Sequence, residues 1–290
     1  MTKDLIAQRL DAELRERIDL RGGRCFALID GALARKAFAG LGKLAPLQSI
    51  VPEGGAVSRS DLSALPFLLD LSALQGNQRV RCISDLVQLA QEHCAATWMA
   101  SVLAPAVLAS ELALRMDAEL PGDLSVLLRF ADARVLPVLH DALEPAQRAS
   151  FFGCTSGWWY LNRRGELLEL ALPNLDSTAP EFRPPIRLTA SQEQRLLDAA
   201  EPDAVLQLLR QHDALSLDRI AAAEHYYFAS QCIGRAKYWS LQTPTDLMLF
   251  CMVALDQGSA FDEQARWADA LRDVRAGKLG WAKAIQQVVQ

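Results

Sequence analysis

The sequence predicts an α/β (or α+β) N-terminal lobe built on a mixed sheet, followed by an all-α C-terminal lobe. Over residues 1–172, short apolar runs bounded by turn residues alternate with segments of helical periodicity, a pattern typical of helices layered on a sheet. Residues 173–185 contain four prolines and predict a linker. From residue 186 to 290 the apolar residues recur at helical spacing, so we expect a helical second lobe.

Seven segments of the first lobe are short, apolar and bounded by glycine, proline or aspartate, and we expect them to be strands. The first, residues 25–29, lies between Gly22-Gly23 and Asp30-Gly31. Asn162-Arg163-Arg164-Gly165 joins the last two segments and predicts a hairpin. The expected strands cover residues 25–29, 47–51, 67–71, 97–103, 124–130, 158–161 and 167–172.

Four segments of the first lobe have apolar residues on one helical stripe, and they cover residues 4–17, 80–96, 105–120 and 132–143. Pro105 suits the first turn of its helix, and Pro121-Gly122 is expected to end that helix.

The second lobe is expected to contain helices throughout. Thr189 precedes the first, Glu201-Pro202 opens another, and a long helix is expected over residues 216–238. Residues 244–256 are almost entirely apolar, which predicts a central helix. Helical spacing also begins at Trp267 and at Trp281, which predicts two closing helices.

Composition argues against nucleic acid and membrane as partners. The formal net charge is -5, with 30 Lys and Arg against 35 Asp and Glu and no basic half. The uninterrupted apolar run over residues 247–255 is far shorter than the roughly 20 residues of a membrane helix. Because the N-terminal residues are charged and amphipathic, we expect a cytoplasmic protein without membrane insertion.

The familiar cofactor and metal motifs are missing from the sequence, so we expect no cofactor and no metal. Gly40-Leu41-Gly42-Lys43 has Ala37 and Leu44 where a phosphate-binding loop needs glycine and Ser or Thr. The six cysteines form no Cys-x-x-Cys pair, and no two of the four histidines are three or four residues apart.

Cys154 is the main candidate for nucleophilic chemistry. It lies in Gly153-Cys154-Thr155-Ser156-Gly157, where a thiol could be exposed, and His140 is the nearest basic partner in the sequence. The favoured alternative is a tight turn that leads into Trp158.

Arg129-Phe130-Ala131-Asp132-Ala133-Arg134 lies between a predicted strand and a predicted helix. Asp132 is expected to cap that helix and to pair with the flanking arginines. Anion binding by Arg129 and Arg134 is the functional alternative. Asp30, which ends its predicted strand, is likewise expected to have a structural role as a cap or turn residue.

Three consecutive aromatic residues, Trp158, Trp159 and Tyr160, lie on a predicted strand, so alternate side chains point to opposite faces. They are expected either to pack in the core or between the lobes, or to contact a partner protein. Tyr226, Tyr227 and Trp239, from the helix over residues 216–239, complete the candidate partner-binding set. We expect the two groups to provide the walls of a cleft between the lobes, with some of these side chains in the core instead.

Six short segments follow one another in a characteristic order along the first lobe. They are Ala27-Leu28-Ile29-Asp30-Gly31-Ala32, Leu65-Pro66-Phe67-Leu68-Leu69, Thr97-Trp98, residues 127–136, residues 143–148 and Phe151-Phe152-Gly153. Their order resembles the effector-chaperone (adaptor) family of bacterial type VI secretion systems. Ala131 and Ala133 depart from the family's aromatic residue and proline, and Leu65 departs from its glycine. The resemblance places the family's core domain at about 24–160.

The resemblance implies a non-enzymatic, cytoplasmic adaptor. Its partners would be a secreted toxic effector and the VgrG-type spike onto which the effector is loaded. The competing hypothesis is a small-molecule hydrolase or transferase that uses Cys154 or the Arg129, Asp132 and Arg134 cluster.

Overall fold

The computed structural model describes residues 2–34, 47–51, 64–172, 181–212 and 214–289. By its internal contacts the chain divides into two units, Met1–Leu196 and Leu197–Gln290. This division lies further along the chain than the predicted start of the second lobe at residue 186. Most of the predicted linker, residues 173–180, lies outside the described residues.

Unit 1 combines strands with helices. Its strands are β1 (Arg24–Ile29), β2 (Leu47–Ser49), β3 (Phe67–Asp70), β4 (Ala96–Ser101), β5 (Asp117–Leu120), β6 (Leu124–Leu127), β7 (Gly157–Leu161), β8 (Leu167–Glu169) and β9 (Ile186–Arg187). Its helices are α1 (Lys3–Arg21), α2 (Gly31–Ala34), α3 (Gly76–His93), α4 (Pro105–Leu114), α5 (Leu136–Ala142) and α6 (Pro145–Phe152), with a 3₁₀ turn at Leu71–Ala73. Helix α6, which the periodicity did not predict, begins with a capping box between Glu144 and Gln147.

A six-stranded sheet in the order β2-β3-β1-β4-β7-β8 forms the centre of unit 1, and every neighbouring pair is antiparallel. Strand β1 pairs with β3 on one side and β4 on the other, with Phe26 opposite Asp70 and Met99. All residues from Cys25 to Ile29 are buried. The run is continuously apolar because both faces of the sheet are covered.

Each face of this sheet carries its own hydrophobic core. One core joins Ala27 and Trp98 to Leu10 of α1 and Leu86 of α3. The other lies on the opposite face, with Phe26 and Met99 of the sheet. Helices α4, α5 and α6 cover that second face, through Leu112, Leu139 and Phe151 among others. Unit 1 is therefore a sheet between two helical layers.

A second sheet in the order β6-β5-β9 supplies the mixed pairing that the sequence predicted. Strands β5 and β6 are antiparallel, whereas β5 and β9 are parallel. The prediction of a mixed sheet in the first lobe is confirmed. Since the larger sheet is antiparallel throughout, unit 1 is α+β in the stricter sense of the predicted alternatives.

Two predictions around this second sheet are wrong. The helix expected over 105–120 ends at Leu114, and residues 117–120 form β5 instead. Strand β9 lies in the region from residue 186 onward, which was expected to contain helices and no strand. Strand β5 pairs with β6, which follows it through a short turn, and with the distant strand β9. This pairing decides the conformation, because Asp117–Leu120 has little strand propensity of its own.

Unit 2 is helical in its described residues, as the sequence predicted. Its helices are α7 (Ala190–His212, of which the part after Leu196 belongs to this unit), α8 (Ala214–Leu217), α9 (His225–Tyr238), α10 (Pro244–Gln257), α11 (Ala265–Arg275) and α12 (Trp281–Val289), with 3₁₀ turns at Ala222–Glu224 and Phe261–Glu263. The apolar helix α10 is central, and Phe250 packs against Phe261 with ring centroids 4.7 Å apart.

Two helix boundaries of this region differ from prediction. Helix α7 continues through Pro202, so Glu201-Pro202 does not open a new helix. The helix expected over 216–238 begins only at His225, because Ala221 has a non-helical backbone with ψ of 136°. Among the described residues, no helix is both long and apolar enough to cross a membrane.

Candidate functional site

Asp30 forms the first half of a charged cluster at the end of β1. Its carboxylate is 3% exposed and accepts two hydrogen bonds from Nη2 of Arg129, at 2.9 and 2.8 Å. The same carboxylate accepts the backbone N–H of Leu33 at 3.0 Å and so caps the short helix α2. The backbone N–H of Asp30 donates to the carbonyl of Ala95, which ties this cap to the start of β4.

Asp132 forms the second half of the cluster with Arg134. Its Oδ1 accepts the backbone N–H and Nε of Arg134, each at 2.9 Å, and its Oδ2 accepts Nη2 at 2.7 Å. The backbone N–H of Ala133 donates to the carbonyl of Cys94. Both halves are therefore anchored at residues 94–95, immediately before β4.

The expectation that one aspartate serves both arginines is wrong, because Arg129 pairs with Asp30 whereas Arg134 pairs with Asp132. Asp132 also does not cap the N-terminus of α5. That helix begins at Leu136, and the Asp132 carboxylate instead closes a turn onto Arg134, two residues later. The Asp30 partner lies 99 residues away from Arg129, and no local pattern indicates it.

Cys154 lies in a buried turn, the favoured of its two predicted environments. Burial raises the pKa of its thiol, which disfavours the thiolate that a nucleophile needs. Its predicted base, His140, instead contacts Asp141 Oδ1 at 2.9 Å and the carbonyl of Ala171 at 3.1 Å. The structure does not bring the thiol and the imidazole together.

Trp158 and Trp159 lie in the two separate cores of unit 1, and neither side chain is available to a partner. The Trp158 ring donates from Nε1 to Thr97 Oγ1 at 3.0 Å. The Trp159 ring lies under the guanidinium of Arg17, 5.4 Å from its centroid. We therefore remove both tryptophans from the candidate partner-binding set. Tyr160 is half-buried at the side of the second core.

The aromatic candidates of unit 2 are half-buried and bonded within that unit. Tyr226 donates its hydroxyl to the carbonyl of Ala199 at 3.0 Å, and its ring lies edge-on to Tyr227. Trp239 donates from Nε1 to Asp262 Oδ2 at 3.0 Å. A partner contact by these three residues, and the cleft that they were expected to line, stay predictions.

A polar cavity of about 420 Å³ in unit 1 brings together Cys25, Ser72 and Arg79, which the sequence did not connect. The Arg79 guanidinium donates to Asp11 at 2.7 Å and to the Cys25 thiol at 3.3 Å. The burial of Arg79 and its bonds to these two partners indicate that Arg79 has a structural role, since the Arg79–Asp11 pair joins α3 to α1. In the described part of the chain, no group of three or more His, Cys, Asp or Glu could hold a metal ion.

Sequence reasoning also missed an exposed apolar edge. Residues 124–130 were expected to form a strand, but the position of that strand in a sheet was open. In the structure β6 is an edge strand, and Leu124 and Leu127 are more than half exposed. Exposed leucines on a free edge are typical of a surface that another chain covers.

A protein family described as a domain of unknown function (DUF4123) matches residues 25–150, which include Asp30, Arg129, Asp132 and Arg134. No curated protein and no solved structure was found to be similar to the chain.

Proposed function

We propose that this protein is a non-enzymatic, cytoplasmic adaptor that binds a toxic effector and helps to load it onto the VgrG-type spike of a type VI secretion system. The observation that carries the proposal is the match over residues 25–150 to the domain of unknown function DUF4123. The matched region contains most of the segments whose order resembles the effector-chaperone family, and this resemblance connects the match to an adaptor function.

The side chains that were candidates for catalysis are buried or held in contacts within unit 1, and this supports a binding function over an enzymatic one. The buried carboxylate of Asp30 is bonded to Arg129, and that of Asp132 is bonded to Arg134, so both carboxylates make contacts that stabilise the fold. The Cys154 thiol is buried and its pKa is raised. The surface features of unit 1 instead include an apolar strand edge at β6.

Deletion of the gene in a bacterium that carries this chain tests the proposal. We expect one type VI toxin to disappear from the culture medium and to return when the chain is supplied again. The spike protein itself should still be released, which controls for a general failure of secretion. Unchanged release of every toxin would contradict the proposal.

Complementation with Cys154→Ser separates the adaptor from the competing enzyme hypothesis. An adaptor that uses no thiol chemistry should restore toxin release with this variant, whereas an enzyme with Cys154 as nucleophile should not. Cys94→Ser is the matched control, since Cys94 lies outside the predicted loop and is half-buried. If the Cys154→Ser protein is folded but does not restore toxin release, and Cys94→Ser does restore it, the enzyme hypothesis is favoured.

A further inference from the structure

Strand β6 presents unpaired backbone groups along its outer edge. The backbone N–H of Leu128 donates to the carbonyl of Met116, and β6 pairs with β5 in the same register, with Asp117 opposite Leu127. In an antiparallel pair the bonded positions alternate, so the N–H and C=O of Ser125 and Leu127 point away from β5. Among the described residues no backbone bond is made by these outward groups.

The side chains of this edge are apolar and accessible. Leu124 is 58% exposed and Leu127 is 56% exposed, on opposite faces of the strand. Val126 shares the face of Leu124 and packs against the second core of unit 1. Lys, Pro and bulges commonly protect an edge strand against pairing, and β6 has neither residue within Leu124–Leu127.

Unpaired carboxylates surround this edge. Asp117 lies directly opposite Leu127, and Asp123 lies in the turn that enters β6. Neither carboxylate has an ion-pair partner among the described residues. Glu119, on the same face as Asp117, is paired with Arg187 at 3.1 Å. The free charge beside the outer edge is therefore negative.

We propose that the outer edge of β6 binds an extended segment of the secreted toxin by strand addition, an inference that rests on the proposed adaptor function. The segment would pair its backbone with Ser125 and Leu127. Its apolar side chains would contact Leu124 and Val126 on one face. Its Lys or Arg side chains would lie on the other face, with their stems on Leu127 and their charges near Asp117 and Asp123.

A second copy of this chain is a less suitable occupant of the same edge. Two β6 strands paired with each other would bring the unpaired Asp117 and Asp123 carboxylates of both copies to one junction, and like charges oppose such pairing. A basic, apolar segment of another protein neutralises these carboxylates instead. The charge therefore decides between the two occupants.

Short overlapping synthetic peptides that cover the toxin lost in the deletion experiment are the probe. In the peptides that bind, we expect apolar and basic residues to alternate along the sequence. The double variant Leu124→Ser and Leu127→Ser should bind them about tenfold more weakly. Leu168→Ser is the matched control, because Leu168 is an exposed leucine on β8, which lies at one edge of the larger sheet. N-methylation at alternate peptide positions should also weaken binding, since it removes the backbone donors.

The outcomes separate this inference from the adaptor function itself. If the chain binds and delivers the toxin but the β6 double variant binds it as tightly as wild type, the edge assignment is wrong and the adaptor function stands. The inference would be overturned if N-methylated peptides bind as tightly as unmodified ones. It would also be overturned if only peptides from the spike protein bind, or if the chain forms dimers that the double variant abolishes. Absence of any dependent toxin overturns both proposals. If the double variant and wild type have the same melting temperature, misfolding is not the cause of the weaker peptide binding.

Discussion

The carboxylate of Asp30 accepts both of its charged hydrogen bonds from one nitrogen of Arg129, although the two residues are separated by 99 positions in the chain. Asp30 is almost fully buried, whereas 49% of the Arg129 side chain is exposed. The pair fastens the loop after β6 to the end of β1. It is asymmetric, because removal of the arginine leaves a buried charge and removal of the aspartate leaves a guanidinium that water can reach.

Arg129→Ala is expected to lower the free energy of unfolding by about 2 kcal/mol, because Asp30 then lacks its charged partner in a buried position. In an Asp30→Asn background the same arginine substitution should cost at most about 0.5 kcal/mol, since no buried charge remains. Urea unfolding of the four proteins measures both values as a double-mutant cycle.

The control for this cycle is Arg81→Ala, which removes an exposed arginine of α3 without an ion-pair partner among the described residues. It should change stability by no more than about 0.5 kcal/mol. Equal costs for Arg129→Ala in the two backgrounds would show that Asp30 and Arg129 are not coupled.

Asp132→Ala is expected to cost about 2–3 kcal/mol, because it removes the bonds to both the backbone and the guanidinium of Arg134. Asp132→Asn should cost about 1 kcal/mol, since its amide oxygen still accepts the Arg134 backbone N–H. Thermal and urea unfolding give the two values. A protein with Asp132→Ala that melts like wild type yet no longer binds the toxin would contradict a structural role.

Stability is expected to fall as the pH rises above about 9, because buried thiols then ionise in the unfolded chain before they ionise in the folded protein. Burial raises the pKa of Cys82 from 9.0 to about 11, and it also raises the pKa of Cys154. Below pH 9 both states keep the thiols protonated, so this contribution is fully present. Urea unfolding between pH 7 and pH 10 measures the loss.

Cys82→Ala should make the decline at alkaline pH shallower than in wild type, because one of the responsible thiols is gone. Cys94→Ala provides the comparison, since Cys94 is half-buried. An identical decline in wild type and Cys82→Ala would assign the pH dependence to other groups.

Gly157→Ala is expected to destabilise unit 1 by about 2 kcal/mol, because a Cβ there would lie 2.5 Å from Cη2 of the buried Trp159 ring. Gly234→Ala is the matched control in α9, where a Cβ meets no atom within 4 Å. That change should stabilise its helix by about 1 kcal/mol. Unfolding measured on both variants checks the two signs, and a neutral Gly157→Ala would show that the ring can move.

Several elements could be predicted from the sequence because their signals are local. Strand β1 is a short apolar run between turn residues, and α10 is an apolar helix that begins at Pro244. The start of α7 could also be predicted, since Thr189 accepts the backbone N–H of Gln192 three residues later. Such patterns operate within one or two turns of chain.

The candidate site was predictable in its residues but not in its pairings. Asp30, Arg129, Asp132 and Arg134 were all predicted to be structural residues from their positions at element ends. Their sequence spacing suggested that both arginines share Asp132, whereas the fold brings Asp30 to Arg129. An ion pair between distant segments depends on how the strands are ordered, and periodicity contains no information on strand order.

The amino-acid sequence by itself determined that this protein has a strand-containing lobe followed by helices, since local propensity and apolar periodicity are properties of neighbouring residues. Only the tertiary structure decided that Asp117–Leu120 is a strand, that Trp158 and Trp159 enter separate cores, and that β6 lies at an edge. The physical reason is that backbone pairing and burial of these segments depend on all of their packing partners, several of which are far away in the chain, and those contacts exist only once the chain has folded.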